Sequence, residues 1–244
     1  MIAQMFVPTT SSYRSAGRAA MISGIVGLMA YGFLLAAVLT REEWVVSNFG
    51  YIMFKAHDVA VILQFIFMIP VLYGIQKLSQ KQGAGISRAS LNVGIGALLF
   101  TALFLLLGIV KIFSDGHYLL PVMVLGVWLM IASGRLVNTL PRVLCWFGMI
   151  IGLGLVTFGS FFPAYAIFVD VVILRIPPVD MATYPEPPMN FANMFIHKII
   201  WIGSIMGVAP LPVWTMLVGR YLLREDRGVL QDEVTQSNYQ TTIL

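Results

Sequence analysis

Six apolar stretches of about 20 residues recur along the chain, each closed by polar or basic residues. No other feature restricts the possible folds so strongly. They cover residues 19–39, 57–75, 89–110, 118–136, 143–162 and 197–223. A backbone crossing hydrocarbon must satisfy its own N–H and C=O groups, so only helices and closed barrels do so. Barrel strands would be shorter and would alternate apolar with polar residues, which these stretches do not. The expected fold is therefore all-α, an integral membrane six-helix bundle forming one domain over residues 1–227. A polar tail, 228–244, follows and reads as mobile. Composition agrees: 59% of the 244 residues are hydrophobic and 11% charged, against about 25% charged in soluble domains. That is too little charge to cover a water-facing surface. The first stretch exceeds a signal-peptide core in length and lacks an A-x-A site before "TREEW", so it reads as a retained span.

Short loops rich in Lys and Arg stay on the cytoplasmic side. Arg14 and Arg18 precede the first span. Lys77, Lys81 and Arg88 lie between the second and third, and Arg135 and Arg142 between the fourth and fifth. Arg220, Arg224 and Arg227 end the sixth. With six spans these regions share one side, which predicts that both termini are cytoplasmic. On the opposite side Glu42, Glu43, Asp58 and Asp115 balance Arg41, Lys55 and Lys111. The longest outer loop, 163–193, contains "RIPPVDMATYPEPPMN", whose prolines impose extended backbone. It reads equally as a lid and as a spacer. The net charge of +4 is spread between spans with no basic run, so nucleic acid is not an expected partner. The expected partners are the lipid bilayer, other membrane subunits or a second copy of the chain.

Gly148 and Gly152 make a G-x-x-x-G in the fifth span, and Gly203 and Gly207 another in the sixth. Such spacing lets helix backbones approach closely. Packing within the bundle is preferred to a homodimer seam, because six helices need internal contacts in any case. Gly116, in a short outer loop, is expected to tolerate bulk. Pro210 and Pro212 should interrupt the sixth span. A broken helix of this kind marks the binding site in some transporters.

The three histidines, His57, His117 and His197, each stand at the outer end of an even-numbered span. Asp58 adjoins the first and Asp115 the second. Gln64 shares a helix face with His57, and Asn193, His197, Trp201 and Ser204 share another. Two readings follow. His57, Asp58, Gln64, Asp115, His117, Asn193 and His197 could form one outward polar site, with the three imidazoles binding Zn²⁺, Cu²⁺ or iron. Alternatively, the rings mark helix ends at the interface, which is preferred because no H-x-x-x-H places two ligands on one turn. Walker, dinucleotide, G-x-S-x-G and kinase motifs are missing from the sequence. It indicates no catalytic residue and no particular cofactor. Cys145 is the lone cysteine, which excludes an intrachain disulfide.

From Gly116 to Val156 the sequence resembles a family of small bacterial six-span membrane proteins known only as a domain of unknown function. His117, Gly126, Trp128, Leu140, Pro141, Arg142, Leu144, Gly148 and Gly152 carry the likeness. The second span, "HDVAVILQFIFMIPVLYGIQKL", resembles that family's second helix, and the likeness covers about two thirds of the chain. The proline-rich outer loop departs from the family's compact pattern. The resemblance implies the six-span topology and a bacterial inner-membrane location, and supplies no reaction. The expected function is that of an accessory subunit or a small-ligand-binding membrane protein. A metal-dependent membrane enzyme and a small transporter are the alternatives.

Overall fold

The computed structural model describes residues 11–40, 49–81, 85–114, 116–176 and 190–242. All regular structure among them is helical: α1 (Ser11–Leu39), α2 (Phe49–Lys81), α3 (Arg88–Ile109), α4 (Leu119–Arg135), α5 (Arg142–Phe168), α6 (Phe191–Gly203) and α7 (Leu211–Thr242). A 3₁₀ turn, Val171–Leu174, follows α5, and a π-helical segment, Ser204–Val208, joins α6 to α7. Five helical stretches are long and apolar enough to cross a membrane, and α4 is a shorter apolar helix of 17 residues. At about 1.5 Å per residue α4 is roughly 25 Å long, so the turns at Tyr118 and Leu136 complete its reach.

From α1 to α6 each helix packs on the next, and α7, reached through the π segment, returns to lie along α1 and so closes the ring. In lipid, hydrophobicity does not choose the inward face, so small residues do. Gly126 and Gly152 face each other across α4 and α5, where a Cβ on Gly126 would stand 2.6 Å from the Gly152 carbonyl oxygen. On the other side of α5, Gly154 meets Gly207 of the π segment backbone to backbone, and Gly203 meets the backbone of Phe158. Gly148 abuts Ser133 and the Trp214 indole. All four G-x-x-x-G glycines thus make contacts inside one chain. Gly116 is different from the expectation of an open loop position: a Cβ there would lie 2.9 Å from the Phe162 ring.

One end of the ring carries the inner-loop basic residues and is tied by polar contacts. Gln76 Nε2 donates to the Ile86 carbonyl (3.4 Å), and the Ile86 N–H to Ser79 Oγ (3.1 Å). Arg135 reaches the Gly85 carbonyl (3.3 Å), and Tyr221 donates to that of Thr139 (2.9 Å). These bonds keep two short connections and α7 in register.

Helices outrun the apolar stretches that predicted them. The tail expected to be mobile continues α7 as helix to Thr242, with "DEVTQSNYQ" supplying no proline or glycine to stop it. The predicted outer loop shortens likewise, because α5 runs on through Pro163 to Phe168 and α6 starts at Phe191, capped by Asn190 Oδ1. Pro177, Pro178, Pro185, Pro187 and Pro188 lie outside the described residues.

Candidate functional site

The sixth crossing is broken where the prolines require it. Pro210 has no N–H to give, and its ring would press on the carbonyl four residues earlier. The chain widens one turn instead, and the Ala209 N–H bonds to the Ser204 carbonyl five residues back at 2.8 Å. This π segment pulls α6 onto α5, while α7 below it packs on α1. Among the described residues α1 and α6 therefore stand apart, without substantial packing between them.

A cavity of about 360 Å³ fills that gap. It runs along α2 from Phe54 to Phe65, roughly 16 Å of helix axis. One wall is apolar, built from Leu105, Val122, Leu155 and Phe158. The polar groups of the lining are Tyr31 of α1, His57, Asp58 and Gln64 of α2, and Ser204 of the π segment that packs on α5. Trp201 and Ile205, each about two-thirds exposed, sit at the mouth on the α6 side.

The polar groups of α2 are fixed from behind. Ser23 Oγ donates to the Gln64 carbonyl at 2.9 Å, and a Cβ on Gly27 would come within 2.7 Å of the Gln64 amide. His57 Nδ1 lies 3.0 Å from the Ala30 carbonyl oxygen. A carbonyl only accepts, so Nδ1 carries the hydrogen, and in the neutral ring Nε2 is the acceptor. Asp58 is buried, with Lys55 Nζ 3.9 Å from its Oδ2. Among the described residues no protein partner satisfies the Tyr31 hydroxyl, the Gln64 amide or the Ser204 hydroxyl. Such groups, on a mostly apolar lining, are what orient a small ligand.

Of the seven residues expected in a shared polar site, His57, Asp58 and Gln64 come together here. His117 lies elsewhere, buried among Phe113, Phe162 and Phe104 with ring centroids 5.0, 4.9 and 6.3 Å away. Its Nδ1 meets Ser114 Oγ at 2.7 Å, and that hydroxyl donates to the Ile173 carbonyl (3.2 Å), tying the α3–α4 turn to the 3₁₀ turn. His197 is exposed on α6, its Nδ1 2.8 Å from the carbonyl of buried Asn193. Asp115 is outside the described residues. Among the described residues no group of three His, Cys, Asp or Glu is placed to hold a metal.

Tyr31 is a residue that the sequence did not single out, because a lone tyrosine inside an apolar span carries no spacing or motif signal. Its partner signal was the proline pair, which predicted a break but not that Ser204 would line a cavity. No family model, no curated protein and no solved structure matches the chain. The likeness to the six-span family of unknown function therefore rests on its motifs alone.

Proposed function

We propose that the chain is a multi-pass membrane protein, with both termini cytoplasmic, that binds a small, mainly apolar ligand in the cavity between α1, α2 and the broken sixth crossing. The asymmetry of basic residues supports the orientation, and the likeness to the bacterial family supports an inner-membrane location. The observation that carries the binding reading is a mostly apolar lining into which the Tyr31 hydroxyl, the Gln64 amide and the Ser204 hydroxyl bring polar groups with no protein partner among the described residues. A hole left by poor packing would be apolar throughout. The π segment at the cavity also favours the transporter reading as the second choice, because a broken helix places a movable joint at the site.

Two outcomes are expected. Reporter fusions at the C-terminus and within residues 177–188 should report opposite sides; the same side would remove the six-crossing topology. Protein purified in mild detergent should retain about one small amphipathic molecule per chain in its organic extract, the number that this cavity's volume can hold. Ser204→Phe places a ring in the cavity and should cut that content about tenfold or more with the fold intact. Equal content in both proteins would contradict the binding reading.

A further inference from the structure

We infer that the cavity takes a neutral, single-chain amphipath whose polar end is a hydroxyl, entering from the lipid between α1 and α6. This rests on the binding reading above and specifies its ligand. The charge of the lining decides first. Among the described residues it contains one carboxylate, Asp58, and no lysine or arginine. An anionic headgroup would lie beside the Asp58 carboxylate, which already engages Lys55, and would find no lysine or arginine of its own to pair with among the described lining residues. A cationic headgroup would have to compete with Lys55, which already stands 3.9 Å from Asp58. A neutral head meets neither cost.

Hydrogen-bond chemistry decides second. His57 has its Nδ1–H committed to Ala30, so Nε2 can only accept from a neutral ligand. The Tyr31 and Ser204 hydroxyls and the Gln64 amide can donate. A ligand that both donates and accepts through one small group satisfies this set. A hydroxyl does so, whereas an ether or ester leaves the imidazole nitrogen without a donor. The chain of the ligand would lie against Leu155 and Phe158 and leave past Trp201 and Ile205, where the cavity meets the lipid-facing surface.

The test uses full-length protein in phosphatidylcholine nanodiscs with four radiolabelled probes of equal chain length: dodecan-1-ol, dodecyl methyl ether, dodecyl sulfate and dodecyltrimethylammonium. Binding is read above empty nanodiscs at submicellar probe. The alcohol should bind about tenfold better than the ether and either ion, the factor one lost hydrogen bond produces. His57→Leu should bring alcohol and ether together. Tyr31→Phe, which removes one donor and no packing, should weaken alcohol and ether alike by about threefold and leave their ratio unchanged. An ion or the ether binding as well as the alcohol, or a ratio unchanged in His57→Leu, overturns the hydroxyl assignment. If Ser204→Phe still abolishes that binding, the cavity reading stands without it. If none of the four probes binds, both fall.

Discussion

Gly207→Leu is expected to eliminate folded protein, at a cost of at least about 3 kcal/mol. The position faces the backbone of Leu155 and Gly154, so an added side chain collides with main-chain atoms that no rotamer change can move. The only relief is separation of the π segment from α5, which would undo the contact that shapes the outer half of the ring. Gly134→Leu, in open space on α4, should leave stability within about 0.5 kcal/mol of wild type. Gly116→Leu should fall between the two, because the atom it meets belongs to the Phe162 side chain, which can shift. Folded yield and thermal midpoint in detergent check the series. Equal behaviour of all three variants would contradict glycine packing as the source of helix association.

Trp214→Ala should lower stability by about 3–5 kcal/mol, the range for removing a large buried aromatic side chain. Trp214 is among the largest fully buried side chains, and its indole N–H donates to the Leu144 carbonyl at 3.1 Å. It also packs on Gly148, so its loss opens a void where α5 and α7 meet. Trp214→Phe keeps most of the volume and loses the hydrogen bond, and should cost about 1–2 kcal/mol. Cys145 offers a built-in reporter, being the chain's single cysteine and buried. A thiol-reactive dye should label it on unfolding, with the alanine variant melting roughly 10 °C below wild type. A shift no larger than that of the phenylalanine variant would show that the site collapses around the missing ring.

The apolar stretches were legible because water is so poor a partner for them, and each coincides to within a residue with helical structure, the sixth with α6, the π segment and the start of α7. Their inward faces were not legible from periodicity. Leu35 and Leu39 of α1 are exposed while Ala30 and Ala37 are buried, the reverse of a soluble helix. Lipid and bundle interior are both apolar, so size rather than polarity sorts the two faces. Glycine spacing therefore located contacts that hydrophobicity could not. The histidines were grouped by depth alone, and depth does not set azimuth. Each ring satisfies Nδ1 with a different carbonyl, that of Ala30, Ser114 or Asn193, and the three end in different surroundings. Lys111, at the mouth of the fourth span, has a plain backbone role as well. It adopts φ 59° just past the end of α3, and its N–H closes on the Gly108 carbonyl at 2.9 Å.

The π segment links sequence to function most closely. Pro210 forces the widened turn, the turn carries Ser204 into the cavity, and the same detour holds α6 away from α1. Straightening the crossing would close the gap. The cavity is thus a consequence of one backbone irregularity, and its α2 polar groups depend on contacts with α1 that lie behind them.

A density map of the protein in lipid nanodiscs tests the ligand cavity most directly. The account predicts elongated non-protein density between α1 and α6, with one end against His57 and Ser204 and the other passing Trp201 into the lipid. A map in which α1 and α6 pack together, with Trp201 turned inward to fill the space, would contradict it.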